Sequence, residues 1–242
     1  MRHDRLFETG FRRADAIVTV SEWDRQWGLD AGYQPPDRLV AIENPLPASY
    51  LGLPLDRAQA SKIVLYCGTW LPRKGTELIR SDMPMVLRSY PDWRLQLIGV
   101  GDGFDKRDHF PSEVWPQIEV IPQADRETRL RELYRSAAIA IMPSIYDSFG
   151  LVAAEAMACG CALAASPVGF AASLRPNVEC LWINGREPGA LDGALRPLIE
   201  NEKMRLAIAA AGRERVQGLR WDDACRRLVG LYETWLREKR GE

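Results

Sequence analysis

The chain has 242 residues, of which 46% are hydrophobic and 27% charged. It therefore reads as an ordinary soluble globular protein, long enough for one large domain or for one domain and part of another. Lys plus Arg (32) nearly cancels Asp plus Glu (33), and the net charge of −1 gives no global drive toward nucleic acid. The N-terminal MRHDRLFETGFRRAD lacks an apolar run, so no secretory signal is expected there. Five cysteines without a C-x2-C pair, and two histidines far from them, predict small buried thiols in a reducing cytoplasm and no zinc site.

In chain order, AIVTVS (Ala16–Ser21) predicts a strand, Glu22 to Ala31 a helix, and RLVAIEN (Arg38–Asn44) another strand. The proline-rich PLPASYLGLPLD that follows reads as an interdomain linker. A second series opens with KIVLYCGTW (Lys62–Trp70), a strand running into a loop. A helix over Thr76–Ser89, interrupted near Pro84, comes next. WRLQLIGVGDG (Trp93–Gly103) and IEVIPQ (Ile118–Gln123) predict strands, Arg126–Ala137 a helix, and AIAIMPS (Ala138–Ser144) a buried strand. Gly150–Ala158 reads as helix, and Ala162–Pro167 and Cys180–Asn184 as strands. Three helices follow, over Pro188–Asn201, Glu202–Gly218 and Trp221–Lys239. The apolar window Leu151–Leu174 is long enough to span a membrane, but Glu155, Gly160 and Ser166-Pro167 cut it into two short elements.

Strands alternating with helices, several apolar on both faces, predict an α/β fold. It is a Rossmann-like parallel sheet flanked by helices on both faces. Ligands of such sheets bind beyond the carboxyl ends of the strands, which directs attention to the loops Gly68–Gly75 and Ser144–Gly150.

GTWLPRKG places Arg73 and Lys74 just before a helix. Two cations there oppose the helix dipole unless an anion is bound; a solvated basic turn is the bland alternative. The spacing is not that of a Walker loop, and VGDG (Val100–Gly103) signals only a tight turn. SIYDSFGLVAAEAMACGC (Ser144–Cys161) keeps two carboxylates, Asp147 and Glu155, inside the most apolar part of the chain. Ser148 is a candidate cap and Gly150 permits close ligand approach, so the helix start would offer N–H groups to a phosphate or sugar hydroxyl. The alternative is a surface loop acid and the polar side of an ordinary helix.

PSIYDSFGLVAAEAMACG resembles the E-x7-E signature of the GT-B-fold retaining glycosyltransferases of family 4, in their C-terminal, donor-binding half. VLYCGTWLPRKG is similar to that family's strand and phosphate loop, and WRLQLIGVGDG to its glycine-rich stretch. RADAIVTVS followed by AIENPLP is similar to the last strands of its N-terminal domain. The resemblance implies a remnant of an acceptor domain over 1–46, a linker over 47–60 and a donor-binding domain over 61–220. The terminal helix, 221–242, would return to the first domain through Ala224, Leu228, Leu231 and Trp235.

By the same resemblance, the donor is a nucleoside-diphosphate sugar. Glu155 holds the ribose and Asp147 the transferred sugar, and Lys74 with Arg73 neutralises the departing diphosphate. Gly68, Thr69, Ser148, Phe149, Gly150 and Leu151 line the donor. No metal and no cofactor are expected, and transfer retains configuration. The acceptor would be a saccharide or a lipid-linked molecule, reached in the cytoplasm or at the inner face of a membrane. The chain departs from the family's pattern at Thr69, where Arg is usual, at Asp147 in place of Glu, and at Ser148 in place of Gly. Two other readings are a non-catalytic donor-binding subunit that needs a separate acceptor-domain chain, and a nucleotide-sugar epimerase, for which His109 would be the interior histidine.

Overall fold

A computed structural model describes residues 2–54, 61–124 and 128–241. Residues 55–60 of the expected linker and 126–127 of the helix expected over Arg126–Ala137 lie outside the described residues.

The chain opens with helix α1 (Arg2–Arg13), which the sequence reading missed. A small β-α-β unit follows, made of β1 (Ile17–Thr19), α2 (Glu22–Asp30) and β2 (Leu39–Ala41). The Ser21 hydroxyl caps α2 by accepting from the Asp24 N–H at 3.1 Å, as a Ser before an acidic first turn favours. β1 and β2 pair in parallel as a sheet of their own.

The second unit carries β3 (Ser61–Cys67), α3 (Thr76–Ser89), β4 (Arg94–Ile98), β5 (Ile118–Ile121), α4 (Arg129–Ser136) and β6 (Ala137–Met142). It continues with α5 (Leu151–Ala158), β7 (Ala162–Ala165), β8 (Leu181–Trp182), α6 (Ala190–Glu200) and α7 (Glu202–Val216); α8 (Trp221–Arg240) closes the chain. The six strands are all parallel, in the order β5-β4-β3-β6-β7-β8. The chain thus winds outward from β3 to one edge, then crosses to β6 and winds outward to the other. That is the doubly wound arrangement, with its reversal between β3 and β6.

Period-two alternation fills both faces of this sheet. Val64, Tyr66, Leu95 and Leu97 meet α3 and α6 on one side, through Ile79, Leu87, Leu195 and Leu198. Leu65, Ile98, Ala140 and Leu163 meet α4, α5 and α7 on the other, through Tyr134, Met157 and Val216. Every residue of β6 is buried.

Pro84 does not interrupt α3. The helix runs unbroken through it with Met83, Pro84 and Val86 buried, so packing outweighs the missing N–H. Two residues before it, the buried Asp82 carboxylate accepts from the backbone N–H groups of Gly189, Leu191 and Asp192, at 2.9, 2.9 and 3.2 Å. It thereby caps α6 from another helix, at an N-terminus whose own cap residue, Gly189, has no side chain.

No residue of α8 is fully buried. Ala224, Leu228, Leu231 and Trp235 are half-buried, while Val229, Tyr232 and Leu236 are exposed. Ion pairs Arg38–Glu238 and Lys239–Asp15, and a hydrogen bond from Arg227 to the Ala41 carbonyl, tie α8 to the N-terminal unit. No helix among the described residues is long and apolar enough to cross a membrane. All five cysteines are free, but Cys225 on α8 is exposed, contrary to the expectation that all five thiols are buried.

Candidate donor site at the sheet reversal

The two loops singled out in the sequence leave β3 and β6, the strands between which the winding reverses, and the structure brings them into backbone contact. The Ile145 N–H donates to the Arg73 carbonyl at 2.8 Å. Gly75 has φ +73°, and a Cβ built there would stand 1.7 Å from the Pro143 carbonyl oxygen, so only glycine lets the loops approach this closely. Gly169, after β7, does the same on the far side. With φ +56°, its imagined Cβ would lie 2.5 Å from the Asp147 carbonyl oxygen and 2.7 Å from that of Phe149.

Lys74 and Asp147 meet across this junction. Lys74 Nζ donates to Asp147 Oδ2 at 2.6 Å, with both side chains about four-fifths buried. The Ser144 hydroxyl donates to the same carboxylate oxygen at 3.3 Å. An ammonium has three N–H donors and a carboxylate about four acceptor positions, so the pair keeps capacity for an anion on one side and for hydroxyls on the other.

Gly150, at φ +86°, stands at the N-cap of α5 and offers no capping side chain. Ser148, a candidate cap in the sequence, instead shares a 2.9 Å hydrogen bond with the Tyr146 hydroxyl. The first N–H groups of α5 therefore face the junction without a side-chain cap, and such groups favour an anion. Phe149 is buried and its carbonyl accepts from the Phe170 N–H at 2.8 Å, while the two rings lie 5.1 Å apart. The loop's aromatic residue is thus a packing anchor.

On the β3 side, the Gly68 N–H bonds to the Ile98 carbonyl at 2.9 Å. The Tyr66 hydroxyl donates to the Thr69 carbonyl at 3.0 Å. Burial pushes the Tyr66 phenol well up, and the Asp147 charge adds to this while Arg73 opposes it. Tyr66 is therefore a neutral donor that fixes the loop. Thr69 and Arg73 have exposed side chains. Trp70 packs edge-on against Phe104 at 4.8 Å and tilted against His109 at 5.3 Å. His109 also stacks on Phe104 at 4.8 Å, so it belongs to an aromatic cluster that buttresses the loop.

Glu155 lies on α5, only 7% exposed, where the Tyr134 hydroxyl donates to it at 3.2 Å. It opens on a cavity of about 650 Å3 that Pro45, Tyr50, Arg131, Leu151 and Trp221 also line. Tyr134, Tyr50 and Arg131 were not foreseen. In sequence Tyr134 reads as one more core position of an amphipathic helix, and nothing local marks it as the holder of a carboxylate one helix away. Among the described residues, no group of three or more His, Cys, Asp and Glu side chains is placed to hold a metal ion.

The sequence profile of the glycosyl transferases group 1 matches residues 54–215, which carry both loops and Glu155. The chain belongs to that family. A D-inositol 3-phosphate glycosyltransferase from Acidothermus cellulolyticus is 31% identical over 94% of this chain and 55% of its own length. A phosphatidyl-myo-inositol mannosyltransferase from Mycobacterium leprae is 28% identical over 90% of this chain and 58% of its own. This group 1 chain thus spans little more than half the length of those curated relatives.

Among solved structures, sucrose-phosphate synthase from Thermosynechococcus elongatus superposes with a TM-score of 0.78 at 23% identity. It covers 97% of this chain and 61% of its own. Anabaena HepE, in complex with UDP and glucose, gives 0.77 at 16% identity, over 95% and 66% respectively. At these identities the likeness fixes the fold, which is that of GT-B glycosyltransferases.

Proposed function

We propose that this group 1 chain binds a nucleoside-diphosphate sugar at the β3–β6 junction and transfers the sugar, with retention and without a metal, to a saccharide or lipid-linked acceptor. The observation that carries the reading is the Lys74–Asp147 pair at the side-chain-free N-terminus of α5. Lys74, with Arg73 and the α5 N–H groups, neutralises the charge that grows on the diphosphate as its bond to the sugar breaks. Asp147 accepts from sugar hydroxyls. Glu155, held by Tyr134, accepts from the ribose, and the cavity beside it takes the base. Gly68, Thr69, Ser148, Phe149 and Leu151 supply the walls.

Anabaena HepE was solved with UDP and glucose, so uridine nucleotides are the first donors to try, within a panel of nucleotide sugars screened by thermal stabilisation. For the best of them, Glu155→Ala should abolish the calorimetric signal while leaving the circular dichroism spectrum unchanged. Retained affinity would remove Glu155 from the site.

A second reading is donor binding by this chain with transfer only in the presence of another polypeptide. It predicts tight nucleotide-sugar binding by the purified chain with neither transfer nor hydrolysis.

A further inference from the structure

The turn after β7, Gly169–Ser173, supports the loop that runs from β6 into α5. The Phe170 N–H donates to the Phe149 carbonyl at 2.8 Å, and the two buried rings lie 5.1 Å apart. Trp182 of β8 ties this turn to the sheet, its indole N–H donating to the Ala171 carbonyl at 3.2 Å. The turn's other attachment is to the N-terminal unit, and it is ionic.

Glu43, two residues beyond β2, accepts from Arg215 of α7, Nη2 to Oε1 at 2.6 Å, with both side chains about three-quarters buried. The Ser173 hydroxyl lies 3.3 Å from the same carboxylate oxygen and 2.8 Å from the Phe170 carbonyl oxygen. Its single proton is therefore shared between the N-terminal unit and the turn. The Arg215 guanidinium also lies over the Phe170 ring, 5.0 Å from the centroid, in a cation–π contact. Exposed ion pairs contribute little, but this one is mostly out of water, and removing one partner strands the other as a partly buried charge. Three residues past Glu43, the Leu46 N–H bonds to the Leu219 carbonyl at 2.9 Å, which fixes this segment against the end of α7. The N-terminal unit also meets the loop after β6 directly. Trp23 stands 5.5 Å from Tyr146, and the Asp24 carboxylate faces the Ser148 hydroxyl.

We propose that Glu43 and Arg215 are positioning residues for the loop after β6. Through Phe170 they set the backbone of Phe149 and Gly150, and with it the first N–H groups of α5. Neither is among the residues assigned to the donor. The inference rests on the donor reading above for what those N–H groups bind, and it adds that diphosphate affinity is governed from the N-terminal unit.

Calorimetry with UDP and uridine on the full chain tests this, beside hydrogen exchange of the amides in 146–153 and 169–174. Glu43→Ala should weaken UDP about tenfold and leave uridine within about twofold, the size of coupling carried by such a network. Exchange should quicken in the two segments and keep its wild-type rate in β3 and β4. Glu43→Gln keeps an oxygen for Arg215 and Ser173, so its UDP affinity should stay within about threefold of the wild type. Arg215→Met should match Glu43→Ala, and the double variant should lose no more than either, since the two residues act as one pair. Four outcomes would each overturn the positioning role while the donor reading stands: unchanged UDP affinity in Glu43→Ala, equal losses of UDP and uridine, exchange that quickens throughout the sheet, or additive losses in the double variant. Exchange that quickens only in the two segments, in a chain whose wild type binds no nucleoside diphosphate, would overturn the donor reading and leave Glu43 and Arg215 in their role.

Discussion

The two parallel sheets of this chain are built to different standards of closure. In the six-stranded unit all of β6 is buried, α5 hides six of its eight residues, and backbones touch where glycine permits. In the N-terminal unit β1 has no buried residue, α2 buries only Gly28, and Trp27 and Val18 face outward. The difference teaches where tolerance lies. The candidate site grows from a body with no slack, whereas the N-terminal unit is thin and open to change.

Substitutions can break or sharpen that contrast. The largest effect should come from Gly75→Ala, which puts a methyl group into the Pro143 carbonyl at a positive φ; about 4 kcal/mol of stability should be lost in urea unfolding. Gly10→Ala in α1, where nothing lies within 4 Å of the new methyl, should instead add about 0.5–1 kcal/mol. Equal responses at the two glycines would erase the contrast. Next in size, Leu65→Ala in the fully buried β3 should cost about 2–5 kcal/mol, against roughly 0.5 for Val18→Ala on β1, by the same measurement.

Lys74→Ala should weaken a nucleoside diphosphate about 10- to 100-fold and the nucleoside hardly at all, since a charge-assisted bond is worth about 1.5–3 kcal/mol. Equal losses for both ligands would take Lys74 off the phosphate. The smallest effect concerns Asp24. Burial raises its pKa, and Asp147 adds to that, while the Ser148 and Ser21 hydroxyls oppose it. A folded-state pKa above the unfolded value means that the group's contribution is fully present below the unfolded pKa. It is then lost as pH rises through the folded pKa. Asp24→Asn should therefore melt slightly above the wild type at neutral pH, with the difference shrinking toward pH 4.

Much of this was legible in the sequence because periodicity and breakers report on the local chain. The strand runs from KIVLYC to CLWIN fall where the sheet has strands, and the alternation of apolar residues on both faces announced helices on both sides. Pro84 misled, since a proline's cost is local while the burial that offsets it is tertiary. α1 went unread because RHDRLFETGFRR carries little apolar signal. In the site, Lys74, Asp147 and Glu155 stood out as charges where charges are costly. Tyr134, Ser144 and Asp24 did not, because what distinguishes them is the neighbour that folding brings, and no spacing encodes it.

The close contact of Gly75 with Pro143, together with the Ile145 to Arg73 hydrogen bond, has a practical consequence for anyone redesigning the candidate site. The loops after β3 and β6 form a single mechanical part, like two halves of a clasp riveted at the hinge. A segment grafted from another group 1 chain at 144–149 alone would arrive against a mismatched counterpart. Segments 68–75 and 143–150 are the smallest unit that can be exchanged, and they must be exchanged together.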